Sequence, residues 1–342
     1  MASTSPLLSL KLRSTLRRVP GLLFLAEAFR ETPGSWLFRR PTSAWLGDPY
    51  LVSQLPSAYR LFARYCATQP GNPFGAELLL RAIIWHRRIT RASLTCRLDV
   101  SGTSIFVDLS DPRFLAIPPE LSSGLPRVLQ SFLGPGDTFI DVGANHGTFS
   151  VSAAGLVGPD GLVVAIEPQP RLAALVRQSL ALQGTPAAVH NVACGDSTGS
   201  AVLYVPTATS GSGGLHPGHS AISLHRTTTV PLLRLDDLLP FHQVPGRVFV
   251  KLDIEGSEAK FLTGARNFLA HTKAPILMEI NGPALEAAGT TTEALIAILH
   301  DCGYNRCLHG DNFDIPSALS TGISASNIIA LHQSVDLSIL RR

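Results

Sequence analysis

Charge is what this chain has least of: 15% of its 342 residues are Asp, Glu, Lys or Arg, against about 25% in an average soluble protein. The apolar fraction, 45%, is ordinary, which argues against disorder over most of the length. Long apolar runs are also missing. The longest uncharged stretches, such as Ser197 to His225, are filled with Gly, Ser, Thr and Pro, which argues against a membrane-spanning helix. Cysteine is scarce and scattered. Cys66, Cys96, Cys194, Cys302 and Cys307 form no Cys-x-x-Cys and no His/Cys block, so neither a disulfide framework nor a zinc site is supported. A reducing, cytoplasmic setting fits this usage. The length allows one large domain, or a domain with a substantial extension.

The net charge of +3 hides an uneven distribution: Met1 to Arg91 holds 13 Lys+Arg and four Asp+Glu, a net +9, which leaves −6 for the remainder. The basic residues are dispersed among Trp, Leu and Pro and form no cluster, so an ordinary solvated helical face is the preferred reading over a nucleic-acid surface. Met1 to Arg30 lacks the uninterrupted apolar core and the cleavage site of a signal peptide. An amphipathic surface helix there, with peripheral membrane contact through the basic residues, stays open. Up to about residue 92 the pattern is one of short helices broken at Pro33, Pro41, Pro56 and Gln69 to Pro73, with a longer segment from Phe74 to Ile89.

Alternation over Leu94 to Leu109 predicts a hairpin. From Gly134 the pattern becomes apolar strand, turn and helix, repeated. Strands are expected at Thr138–Val142, Leu162–Ile166, Ala187–Val192, Arg247–Leu252 and Pro275–Ile280. Helices are expected at Gly147–Val157, Pro170–Gln183, Glu258–Leu269 and Thr292–His300. This predicts an α/β fold with a mostly parallel sheet covered on both faces. Three segments follow: a basic, mainly helical extension over residues 1–92, a hairpin and lead-in over 93–133, and the main domain over 134–342. Ala201–Val205 and Thr227–Leu233 read as an antiparallel pair flanking a Gly/Ser/His loop, either a lid or a disordered insertion. Two short strands near Tyr304–Leu308 and Ala325–Leu331 complete the tail.

Ligands of such sheets bind beyond the strand carboxyl ends, where the strand order reverses. The first expected strand runs into Asp141-Val142-Gly143-Ala144-Asn145-His146-Gly147, a turn in which Gly143 and Gly147 permit close approach to a nucleoside. Asp141 would repel a pyrophosphate but would hold the ammonium of an amino-acid-like ligand, which favours S-adenosylmethionine over NAD. The second strand ends in Glu167-Pro168, about 24 residues past Gly143, where an acid can accept both hydroxyls of a ribose. Beyond the third, Asn191 or Asp196 could bond the ribose edge or the adenine amine. The fourth gives Lys251-Leu252-Asp253-Ile254-Glu255-Gly256-Ser257-Glu258, in which alternation sets Lys251, Asp253 and Glu255 on one side and supplies a candidate general base.

These motifs together resemble the FkbM family of class I S-adenosylmethionine-dependent methyltransferases over about Ser101 to Asn281. The resemblance implies a doubly wound, Rossmann-like sheet of seven strands. It also implies methyl transfer, in known members often to a hydroxyl of a sugar or secondary metabolite. Carried over by position, Gly143, Asn145 and Gly147 line the methionine portion of the donor, Glu167 binds the ribose and Asp196 lies near the adenine.

In-line displacement on a sulfonium methyl needs an oriented acceptor, excluded water and a base for the hydroxyl proton. Asp253 is the first choice of base, Glu255 the second and Lys251 an orienting cation. A magnesium ion held by Asp253, Glu279 and Asn281, similar to the site of catechol O-methyltransferases, is an alternative to the preferred metal-free reading. N-methylation of a small amine, and a donor-binding partner protein without turnover, are the rival functions. No specific nucleic-acid partner is expected, because no Asn/Asp-Pro-Pro-aromatic sequence follows the fourth strand. His216, His219 and His225 lie in the Gly/Ser loop without cysteine partners and fit a lid better than a metal site. His146 reads as a packing residue.

Overall fold

A computed structural model describes residues 44–68, 73–122, 125–206, 210, 213–217, 225–310, 313, 315–320 and 327–336. The basic segment from Met1 to Arg30, with Pro33, Pro41 and His219, lies outside the described residues. The described residues fall into two compact units, one drawn from residues up to Leu98 with Asp108–Pro119, the other from Asp99–Val107 and from Glu120 onward.

The first unit is helical: α1 (Pro49–Ser53), α2 (Ser57–Thr68) and α3 (Pro73–Ile89). Asp48 caps α1 by accepting the backbone N–H of Tyr50 at 2.8 Å and of Leu51 at 3.3 Å, and Pro49 takes the first helical position, where no donor is lost. Pro56 separates α1 from α2, as the breaker pattern required. Leu55, Tyr59, Phe62 and Leu80 are buried with Phe114. Polar tips in this core find partners: the Tyr59 hydroxyl donates to the Leu109 carbonyl at 2.6 Å and the Trp45 indole to that of Leu115 at 2.9 Å. The expected hairpin is present as β1 (Thr95–Val100) and β2 (Thr103–Asp108).

The second unit alternates strand and helix: β3 (Thr138–Val142), α4 (Thr148–Val157), β4 (Leu162–Ile166), α5 (Pro170–Leu180) and β5 (Ala187–His190). A small sheet interrupts, made of β6 (Ala193–Cys194), β7 (Gly199–Pro206) and β8 (His225–Leu233), with β7 and β8 antiparallel as expected. The alternation resumes with β9 (Val248–Leu252), α6 (Glu258–Gly264), α7 (Arg266–Thr272), β10 (Ile276–Glu279), α8 (Gly282–Ala287) and α9 (Thr292–Asp301). It closes with β11 (Tyr304–His309), β12 (Ile315–Ala318) and β13 (Asn327–His332).

The main sheet has the order β12-β11-β13-β10-β9-β3-β4-β5. Strands β5, β4, β3, β9 and β10 are parallel neighbours, and β13 runs antiparallel to both β10 and β11. The order reverses between β3 and β9, which fixes the crevice at their carboxyl ends. Every residue of these two strands is buried, so their apolar side chains serve cores on both sheet faces.

The sheet is doubly wound and mostly parallel, as expected, with one departure from seven strands. The eighth, β12, pairs antiparallel with β11 at the sheet edge. It is four residues long and contains Pro316, a composition that masks a strand in sequence and that only an edge tolerates. The helix expected over Glu258 to Leu269 is broken at Ala265. There the Asp236 carboxylate accepts the N–H groups of Asn267 and Phe268 at 3.2 and 2.8 Å and starts a second helix. No helix among the described residues is long and apolar enough to cross a membrane.

Candidate active site

The turn after β3 is clamped between two strand ends. The N–H groups of Gly143 and Ala144 both donate to the Ile166 carbonyl, at 2.9 and 3.1 Å, and the N–H of Asp253 donates to that of Val142 at 3.1 Å. Gly143 has φ +80°, and a β-carbon there would lie 2.0 Å from the Asp253 carbonyl oxygen, so no other residue fits. Asn145 follows with φ +52°, a conformation that asparagine tolerates better than most side chains. Its amide oxygen accepts the N–H of His146 at 2.9 Å and lies 2.7 Å from the His146 Nδ1. His146 is buried, in keeping with a packing role.

Glu167 ties the turn to β4. One carboxylate oxygen accepts the N–H of Asn145 and the other that of Gln169, both at 2.8 Å. Burial pushes this carboxyl up to about 7, against the pull of those two N–H groups and of Lys251. Asn191 supports Glu167 from below: its side-chain amide donates to the carbonyls of Glu167 and Pro168, each at 2.9 Å. Asp196 is exposed beyond β6, where it accepts the Ser197 hydroxyl at 3.3 Å and makes no hydrogen bond to Glu167, Asn191 or the glycine turn.

Asp141 and Lys251 are direct neighbours across β3 and β9. Asp141 does meet an ammonium, but it is the protein's own: the Lys251 Nζ lies 3.4 Å from one carboxylate oxygen, and the Ser150 hydroxyl donates to the other at 2.6 Å. The same Nζ donates to the Gly143 carbonyl at 2.8 Å, lies 3.3 Å from Asp253 and stands 5.5 Å from the centre of the Phe149 ring. Burial opposes the charge on Lys251, yet the flanking Asp253 and Asp141 carboxylates more than offset it and raise its pKa. Asp253 is the open end of this chain, with its side chain 48% exposed.

Strand alternation stops at Leu252, so it does not carry through to Glu255 as the sequence pattern suggested. Glu255 sits instead in a left-handed turn, φ +53°, at a backbone cost of about 1–2 kcal/mol. Burial, followed by the charges of Asp253, Glu279 and Glu258, pushes its carboxyl up to about 8. Glu258 braces the turn: one oxygen accepts the N–H groups of Ile254 and Gly256 at 3.2 and 3.3 Å, and burial pushes its carboxyl up to about 7. Burial, with Asp253, also raises Glu279.

Two residues of the magnesium alternative already have other partners. The Asn281 side-chain oxygen caps α8, accepting the N–H of Ala284 at 3.3 Å, and Asp253 already faces a buried ammonium that would repel a cation. Among the described residues no group of three His, Cys, Asp or Glu is spaced to hold a metal ion.

Part of the Gly/Ser/His loop reaches the same place. The Asn145 amide donates to the Ser210 hydroxyl at 3.2 Å and approaches its carbonyl at 3.4 Å. Gly214, bridged to Tyr204, lies against Glu255. His216 is held below its ordinary pKa by burial and by Lys260, and the His225 ring meets Tyr204 edge-on.

Ser150, Phe149, Ser210 and the bracing role of Glu258 escaped the sequence reading. Only Glu258, an acid in the first turn of a helix, carried a local signal.

Residues 141–306 match the Methyltransferase FkbM domain. The chain carries an FkbM methyltransferase domain. The matched segment of this FkbM domain opens on Asp141 and takes in the glycine turn, Glu167, the Lys251 to Glu258 segment and Glu279. Among solved structures, the methyltransferase FkbM of Methylobacillus flagellatus KT is 16% identical with a TM-score of 0.38, over 82% of this chain and 72% of that one. Aeropyrum pernix fibrillarin, in complex with natively bound S-adenosyl-L-methionine, is 14% identical with a TM-score of 0.35, over 70% and 94%. M. jannaschii TYW2, in complex with AdoMet, is 12% identical with a TM-score of 0.36, over 70% and 84%. No curated protein sequence matches the chain.

Proposed function

We propose that the FkbM domain methylates a hydroxyl of a small molecule or glycosyl group, with Asp253 as the base. The methyl donor is S-adenosylmethionine, which supplies an electrophilic methyl on a sulfonium when bound. The residues fit such a donor. Each oxygen of Glu167 accepts a single backbone N–H, and a carboxylate offers about four acceptor sites, so two hydroxyls of a ribose can be taken without dismantling the turn. Gly143, Asn145 and Gly147 would line the methionine portion. Asn191 would act by holding Glu167 in place.

The observation that carries the catalytic reading is the chain Asp141, Lys251, Asp253. Its inner members are buried and mutually neutralised, while its outer carboxylate is half exposed beside the glycine turn. Asp253 is thus oriented by Lys251 and accessible to an acceptor hydroxyl, whose proton it would take. Glu255, two residues on, is the second choice, since burial keeps it largely protonated at neutral pH.

Calorimetry with S-adenosylhomocysteine tests the donor half: saturable binding is expected, and Glu167→Ala weakens it. Incubating the protein and labelled donor with extract metabolites tests the transfer. A labelled methyl ether is the expected product, and Asp253→Asn should retain donor binding while transferring no methyl. A labelled amine would overturn the choice of acceptor, and full transfer by the variant would overturn the choice of base.

A further inference from the structure

Away from the strand carboxyl ends, a cavity of about 540 Å³ opens at the amino ends of β9 and β10, within the roughly 300–1,000 Å³ typical of small-molecule sites. Its lining includes Val248 and Phe249, the first two residues of β9, whereas the proposed base Asp253 follows that strand's last residue, Leu252, four residues beyond Phe249. Four residues of extended chain span roughly 13 Å, so a molecule held here cannot be the methyl acceptor.

The inner wall is aromatic and apolar. Phe132 and Phe249 meet with ring centres 4.9 Å apart, and Phe241 stacks on His271 at 3.9 Å with only 8° between the planes. Phe241 is 39% exposed, an aromatic face left at the opening. Two full cations, Arg247 and Lys273, and one carboxylate, Asp336, line the same cavity. Arg247 is already matched, its guanidinium 2.8 Å from the Asp137 carboxylate. Lys273 is not: among the described residues it forms no salt bridge. Its backbone is unusual as well. Lys273 follows α7 with φ +53°, its N–H bonded to the Leu269 carbonyl at 2.8 Å, a helix-ending conformation in which glycine is favoured. A lysine there sacrifices backbone ease and sets in the lining of an aromatic cavity an ammonium that has no salt bridge among the described residues.

We propose that this cavity binds a planar aromatic carboxylate, with its ring against the Phe132, Phe249 and Phe241 surfaces and its carboxylate on Lys273. One cation without a salt bridge among the described residues, with the Asp336 carboxylate in the same lining, suits a monoanion better than a phosphate. The aromatic wall favours a flat ring, which stacks with less loss of conformational freedom than a flexible acyl chain.

Calorimetry on the full chain with 2-naphthoate, and with the neutral 2-naphthylmethanol as its control, tests this. Naphthoate should bind one to one and about tenfold more tightly than the alcohol, the worth of one charge-assisted contact. Saturating S-adenosylhomocysteine should leave that affinity unchanged. Lys273→Gly relieves the backbone at this position, so the variant should fold at least as well as the parent, by thermal melting, and lose the preference for the acid. Absence of naphthoate binding, equal affinity for acid and alcohol, displacement by S-adenosylhomocysteine, or an unaltered preference in the folded Lys273→Gly variant would each overturn the proposal.

Discussion

Two acid-base pairs join the same two segments of chain, each with the acid at β3 and the base at β9. Asp137 and Arg247 meet just before the strands begin, and Asp141 and Lys251 meet inside them. The first pair is half in water, with the Arg247 side chain 58% exposed, whereas in the second the side chains are 7% and 1% exposed. Asp137 would keep other donors without the arginine side chain, since the N–H groups of Gly134 and Arg247 both bond its carboxylate at 2.9 Å. Asp141 has the Ser150 hydroxyl and little else. The same sheet therefore holds one pair that fastens an edge and one that carries buried charge to a site. Burial, not the distance between charges, separates them.

The largest expected effect comes from breaking the inner pair. Lys251→Met leaves a buried carboxylate without its cation, which should cost about 3–5 kcal/mol and be read as a lower urea midpoint. Asp141→Asn combined with Lys251→Met removes both charges and should recover a large part of that loss, a coupling that only a double-mutant cycle exposes. If the double variant is as unstable as the sum of the singles, the two side chains do not act as a pair.

The pH dependence extends the contrast to the acids around the inner pair. Glu255 is held near 8 and Glu167 and Glu258 near 7, against an ordinary carboxyl value of 4.5. Each binds its proton more tightly folded than unfolded. The stability they contribute is full below pH 4.5 and is lost as the pH rises through 7 to 8, at a slope of at most about 1.4 kcal/mol per pH unit for each group. Raised Lys251 works in the other window, holding its contribution until the solution is more alkaline than 10.5. Glu255→Gln should flatten the decline between neutrality and pH 8.5, as followed by thermal melting (about one carboxyl's share). The same variant discriminates between the bases. Retained methyl transfer leaves Asp253 in the role, and loss of transfer with intact donor binding moves it to Glu255.

How much of this was open to sequence reading depended on how local the geometry was. The turn after β3 was legible because Gly143 and Gly147 mark their own backbone requirements, and Glu167 because a fixed crossover length brings a second strand end beside the first. The β7 and β8 pair could be read from alternation. The Asp141–Lys251 contact could not, because the register between β3 and β9 is set by every element packed between them in sequence. For the same reason Asp141 looked available to a ligand when it was already matched. Ser210 reaches Asn145 from a loop without periodicity, and Asp236 breaks a helix that begins some twenty residues later by capping its second half. Asn281 shows that a residue with ligand chemistry can also serve a helix end, a use its type alone does not reveal. Asn281→Ala should cost about 1 kcal/mol by removing the cap, with methyl transfer equally indifferent to EDTA before and after the change.

The smallest effect belongs to the outer pair. Arg247→Gln removes a guanidinium that is mostly in water, and exposed pairs are worth about 0.2–1 kcal/mol. The backbone N–H of residue 247 survives the substitution, so Asp137 keeps two of its bonds and no charge is stranded. The urea midpoint should therefore move by a fraction of the shift seen for Lys251→Met, and the difference should shrink further in high salt, which screens exposed charges and leaves buried ones nearly untouched. A loss as large as that of the inner pair would mean that the amino end of the sheet is fastened mainly by charge. The exposure of Arg247 and the backbone bonds to Asp137 argue that it is fastened by the chain itself.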